Sequence, residues 1–151
     1  MITIERYDPR KDKDALKELF EDFAENICYF DAKWEKFEEE LNKRSLDLKY
    51  RNAMVLAKEG DDVIGWGTFT AFRDYLGNDR ALIHQVITKK EHSFKKGIEE
   101  AIFRELENYI AKTLKLDKVY YICPDNDGNK RSLLMKLNAK KDPFIWYVKN
   151  L

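Results

Sequence analysis

Phe94-Lys95-Lys96-Gly97-Ile98-Glu99-Glu100-Ala101 closes a lysine-rich loop, Thr88 to Lys96, and opens a long helix. The helix is written in the residues that follow. Ile98, Ala101, Ile102, Leu106, Tyr109, Ile110 and Leu114 recur at helical spacing and form one apolar stripe. A glycine at such a junction lets the backbone approach a ligand closely. The free N–H groups of the first turn, with the positive end of the helix dipole behind them, make an anion site. Glu99 and Glu100 suit the dipole but repel an anion seated there. At ~5 Å and an effective dielectric of about 20, one such contact costs on the order of 3 kcal/mol. Lys89, Lys90, Lys95 and Lys96 supply the opposing charge.

On the N-terminal side of this stretch, Ile2, Ile4 and Tyr7 predict a short strand that Asp8-Pro9 breaks. From Asp14, the apolar series Ala15, Leu16, Leu19, Phe20, Phe23, Ala24 and Ile27 predicts an amphipathic helix. Asp31 is placed to cap a second helix carrying Trp34, Phe37 and Leu41. Ala53 to Lys58, the turn Gly60-Asp61-Asp62 and Val63 to Phe72 read as a hairpin. Gly65 and Gly67 lie inside its second strand, where glycine marks a bulge or a close approach by another element. After the turn at Tyr75–Asp79, Arg80 to Ile87 reads as a third strand of this antiparallel meander. On the C-terminal side, Val119 to Cys123 is a short apolar strand of the kind covered on both faces. Pro124 to Gly128 is a turn, Leu133, Leu134 and Leu137 mark a short helix, and Pro143 to Val148 reads as a last strand. Strand, helix, strand in this half implies a parallel crossover.

The 151 residues form one continuous unit with no repeat or linker, so a single domain over 1–151 is expected. Apolar residues make up 44%, enough for a core, and charged residues 37%, so the surface is densely charged. Lys plus Arg and Asp plus Glu both number 28, which leaves no basic footprint for nucleic acid or a membrane surface. Cys28 and Cys123 are not spaced as a metal pair with His84 and His92, so no metal site is expected. Two reduced thiols, no apolar run near the ~20 residues of a membrane span and no leader-like start together suggest a cytoplasmic protein.

The element order resembles the GNAT N-acetyltransferase family over nearly the whole chain. Phe94 to Ala101 resembles that family's Gln/Arg-x-x-Gly-x-Gly/Ala loop, with Gly97 on the first glycine, Phe94 in the Gln/Arg place and Glu99 in place of the second glycine. Met135-Lys136-Leu137-Asn138-Ala139 resembles the segment usually written Tyr-x-Lys-Leu-Gly-Phe. The resemblance implies an α/β (α+β) fold: a mixed, mostly antiparallel sheet of about six to seven strands flanked by about four helices. It implies transfer of an acyl group from acetyl-CoA or another acyl-CoA to a small-molecule or peptide amine. The donor's pyrophosphate would lie at Lys95, Lys96, Gly97 and Ile98. Its pantetheine arm would run between splayed strands, against Val86 and Ile87, with Asn126 or Asn129 contacting it.

The same resemblance places Tyr29, Phe30 and Trp34 where the first two helices meet, at the acceptor side. The family's acid, a tyrosine of the final helix, falls on Leu134, so Tyr120 and Tyr121 are the substitutes at hand. His84, mid-strand, is the candidate base, since an imidazole titrates near neutral pH. Each has a plainer reading. Strand tyrosines usually pack, a lone strand histidine is usually structural, and Asp125 to Asn129 serve equally as turn and cap residues. The altered loop leaves open a different class of function, a binding or assembly domain without transfer. Trp146-Tyr147-Val148 offers a strand to a second copy, so a homodimer is also in view.

Overall fold

The computed structural model describes residues 1–151. Strand β1 (Ile2–Arg6) leads into α1 (Pro9–Asn26). The helix begins earlier than the apolar series suggests. Pro9 presets its first turn, Asp8 accepts from the Arg10 N–H, and Asp12 accepts from the Asp8 N–H at 2.8 Å. Helix α2 (Trp34–Ser45) starts after Lys33, whose side chain makes no cap, so the expected cap by Asp31 is not formed. A single turn, α3 (Leu48–Arg51), then delivers β2 (Val55–Glu59), β3 (Asp62–Gly67), β4 (Phe69–Arg73) and β5 (Asp79–Ile83).

The strand expected over Val63 to Phe72 is interrupted at Thr68. Its hydroxyl donates to Ala53 O and its carbonyl accepts from His84 N–H, so the backbone turns from one set of partners to another. The sheet is thereby divided. β1, β2 and β3 form one antiparallel set, and β4, β5 and a two-residue strand β6 (Tyr120–Tyr121) form the other, with β5 and β6 parallel. Helix α4 (Ile98–Lys112) is the crossover between β5 and β6, and α5 (Gly128–Lys136) follows. Six strands and mixed pairing match the expected fold class. The last strand expected over Pro143 to Val148 is not formed: that segment has no regular structure and stands exposed.

Gly65 and Gly67 are explained by α4. A Cβ at Gly65 would stand 2.5 Å from Ile98 Cγ2, and one at Gly67 would run into Ile102 Cγ2. The helix lies directly on the strand because these two positions have no side chain. Gly67→Ala is expected to destabilise the fold by about 1–3 kcal/mol through overpacking, read as a lowered urea midpoint at unchanged slope.

One core of 14 buried residues draws on both sheets, with Val55, Ala57 and Ile64 from the first and Phe69, Ala81 and Ile83 from the second. All pack on the α4 stripe of Ile98, Ile102, Phe103, Leu106 and Ile110. A second core fills the other face, where Phe20 stacks on Phe37 at 5.0 Å and Phe37 meets Trp66 edge-on at 5.3 Å. No helix is long and apolar enough to cross a membrane.

Candidate active site

β5 and β6 pair only through Leu82 with Tyr120 and Ile83 with Tyr121. Beyond Ile83 the chain leaves its parallel neighbour. His84 N–H donates to Thr68 O at 3.1 Å, and Ile87 exchanges two backbone bonds with Trp66. The strands are therefore splayed, as the family resemblance implies. Gln85, the only glutamine, holds the gap's rim. Its Nε2 donates to Ile27 O at 2.6 Å and its Oε1 accepts from Tyr29 N–H at 3.0 Å, which ties the end of α1 to the splay. Val86 is buried, yet its N–H donates no hydrogen bond within the chain.

Beside the splay, past the end of β5, lies a nearly closed cleft of about 10 Å³ lined by Ile27, Tyr29, Gln85, Val86, Ser93, Phe94, Glu99, Phe103 and Lys130. Two of these groups are buried and unsatisfied. Lys130 is 1% exposed and its Nζ has no partner; it rests 5.1 Å from the centre of the Tyr29 ring and 5.7 Å from that of Phe103. Burial lowers its pKa to about 8, against the raising influence of Cys123, Asp127 and Glu99. Glu99 is 4% exposed. Its Oε2 accepts from Phe94 N–H at 3.0 Å, while Oε1 has no partner. Burial raises its pKa, opposed by the backbone donors it gathers. Glu99 thus turns inward at the head of α4 and occupies its anion-binding end from within.

Tyr29 donates its hydroxyl to Asp127 Oδ2 at 2.6 Å, and Asp127 Oδ1 accepts from Lys130 N–H at 3.0 Å as the cap of α5. One carboxylate therefore fixes both the aromatic wall and the helix that carries Lys130. Outside the cleft, Asp22, Asn26, Lys89, Lys90, Glu91 and Lys95 line a wide polar depression beside the loop.

The residues singled out from sequence are dispersed. Val86 lines the cleft, whereas Ile87 packs in the second core. Gly97 is left-handed at φ 72°, with nothing within 4 Å of where its Cβ would stand, and Ile98 points into the core. Lys96 pairs with Glu59 at 2.9 Å and Lys95 opens onto the depression. Asn126 and Asn129 are exposed, and Asp127 between them makes the contacts. Tyr29 is a wall of the cleft, Phe30 is exposed, and Trp34 packs on Phe20 and Phe37.

His84 Nε2 is hydrogen-bonded to Thr70 Oγ1, which Arg44 also contacts. Burial lowers its pKa to about 4, with Arg44 and Lys130 adding to the effect, so the imidazole is neutral near pH 7. The Tyr121 hydroxyl is engaged by Glu107 at 2.8 Å and that of Tyr120 by Arg80. Neither tyrosine lines the cleft.

Lys130 and Gln85 are not singled out as site residues by the sequence patterns, whereas Asp127 belongs to the Asp125–Asn129 group read as turn and cap residues and does cap α5. A signal for Lys130 exists. It lies three and four residues before Leu133 and Leu134, and seven before Leu137, and so on the same half-buried apolar face of α5. A charged residue on such a face is buried at a cost and asks for a reason.

The splayed sheet, with a loop-to-helix turn over the gap, defines an acyltransferase-type domain. The model of the Acetyltransferase (GNAT) family matches residues 13–135, and the chain belongs to that family. A ribosomal-protein-alanine N-acetyltransferase from Brucella melitensis biovar Abortus 2308 superposes with a TM-score of 0.70 at 18% identity, over 100% of both chains. A possible acetyltransferase from Clostridium difficile 630 gives 0.72 at 15% identity, over 100% of this chain and 98% of that one. The NatC complex bound to Gag peptide and CoA gives 0.70 at 10% identity, over 90% and 82%. No curated protein matches by sequence.

Proposed function

We propose that the protein transfers an acyl group, acetyl in the simplest case, from an acyl-CoA to an amine acceptor. The reading rests on one observation above the rest: two buried side-chain groups without partners, Lys130 Nζ and Glu99 Oε1, line one cleft together with Val86, whose N–H donates no bond within the chain. Buried polar groups are normally satisfied, and a cluster of exceptions in one cleft points to a ligand.

The residues present fit the donor on the strand side. Val86 offers a free backbone donor to an amide-bearing arm, and Gly97 leaves open space at the head of α4. Lys89, Lys90 and Lys95 border the depression where phosphates would meet positive charge. The acyl-CoA supplies an activated thioester. Lys130 holds a proton at Nζ on the cleft floor, one helical turn before Leu134, and fills the acid's role that Leu134 cannot. Tyr29 and Phe103 keep water from that ammonium, and Asp127 fixes its helix. At pKa about 4, His84 is a weak base, and the acceptor amine must arrive largely neutral. His84→Gln is therefore expected to reduce kcat by less than about tenfold, measured at saturating donor.

A second reading, a binding or assembly domain without transfer, is favoured by the cleft's narrowness. Its free volume of about 10 Å³ lies far below the ~300–1,000 Å³ of usual small-molecule pockets, so the arm enters only after Tyr29 or Phe94 moves. Calorimetry with CoA and acetyl-CoA, followed by turnover across a panel of amines, separates the two. Micromolar binding with turnover supports transfer. No heat of binding at millimolar ligand removes the enzyme.

A further inference from the structure

The cleft contains an amine that belongs to the protein itself. Lys130 Nζ is buried, has no hydrogen-bond partner and shares its walls with Val86, whose N–H is unpaired. Lysines elsewhere behave differently: Lys13, Lys58, Lys96 and Lys136 each pair with a carboxylate. Around Lys130 the titratable groups are Cys123 beyond β6, Asp127 at the cap of α5, Glu99 on α4 and His84 after β5, and none of them bonds Nζ. An amine attacks a carbonyl carbon only in its neutral form. With burial holding its pKa at about 8, about a tenth of Lys130 is neutral at pH 7, against about one in 3,000 of an exposed lysine.

We propose, on the reading of the cleft as the donor's site, that Lys130 is a site of self-acylation, its Nζ competing with the external amine for a bound acyl-CoA. The lone pair of neutral Nζ forms a bond to the thioester carbonyl carbon, the carbon–sulfur bond breaks, and the proton lost by nitrogen leaves on the thiol of CoA. Held in one cleft, amine and thioester meet at an effective concentration that no surface lysine reaches. The protonated form of the same atom is the acid of the transfer reaction, so the two roles belong to two charge states. Acylation ends both. The product carries no charge, which removes the cost of burying an ammonium. The added acyl group must also lodge where there is room for about one water molecule, so it shuts the cleft to the next donor. The modification therefore stops at one acyl group per chain.

The full chain, incubated with acetyl-CoA near neutral pH and followed by intact mass and peptide mapping, is expected to gain one acetyl group on Lys130. The rate is expected to saturate with acetyl-CoA and to exceed that of exposed lysines such as Lys140 and Lys141 by about 10²-fold. In urea that preference is expected to vanish, and the folded, acetylated chain is expected to lose its binding of CoA in calorimetry. CoA binding to the unmodified chain without acetyl on Lys130 would overturn the self-acylation and leave the cleft standing as a donor site. Acetylation of Lys130 no faster than that of the exposed lysines would overturn it as well. No binding of CoA at millimolar concentration would remove both.

Discussion

Lys130→Met is expected to lower kcat by about 10²-fold or more, within the ~10²–10⁴ range of a positioned acid, and at the same time to make the protein more stable. The two effects share one cause. An ammonium buried against two aromatic rings without a hydrogen-bond partner is held at a cost, which its pKa of about 8 records against an ordinary 10.5. That depression corresponds to roughly 3–4 kcal/mol of destabilisation while the amine is charged. The sign follows from proton counts. Between about pH 8 and 10.5 the unfolded chain keeps the proton and the folded chain has lost it, so stability rises with pH across that window. Urea unfolding at about pH 7 and about pH 10 should show the rise in the natural sequence and lose this component in Lys130→Met. The kcat/KM profile should fall above about pH 8, and that limb should vanish in the variant. A lysine that merely packed would leave the pH–rate profile where it was.

Glu99 carries the second large effect. Glu99→Gln is expected to tighten binding of CoA by up to about 10²-fold, the equivalent of one removed like-charge contact of about 3 kcal/mol. The glutamine keeps the length of the side chain and an acceptor for Phe94 N–H, so the comparison isolates charge. Glu99→Gly adds about 1 kcal/mol of lost helix propensity and is the less clean test. Because burial raises the pKa of Glu99, affinity in the natural sequence should also strengthen as pH falls through that raised value and the carboxyl becomes neutral. Titration calorimetry over the acidic range checks both. An affinity that Glu99→Gln leaves unchanged would place the phosphates elsewhere, for instance in the lysine-bordered depression.

Much of the fold is legible in the sequence because its signals are local. The α1 and α4 stripes follow from apolar spacing, and Gly65 and Gly67 mark a close approach that α4 indeed makes. The break at Thr68 is not legible. It depends on Ala53 and His84, each at least fifteen residues away in sequence, competing for its polar groups. Pro143 to Val148 has strand composition, but a strand also requires a backbone edge to pair with, and composition alone does not supply one. In the cleft, Tyr29 and Val86 follow from the order of elements. Asn126 and Asn129 stand exposed, and Asp127 between them caps α5 and holds Tyr29. Lys130 escapes notice because its type suggests solvent, whereas its spacing to Leu133, Leu134 and Leu137 places it inside.

The shared core has a further consequence. Although no strand belongs to both sheets, each lays apolar side chains on α4, so the core under that helix is complete only while both are in place. Heating is therefore expected to melt the two sheets in one cooperative event, seen as coincident near- and far-ultraviolet circular dichroism transitions.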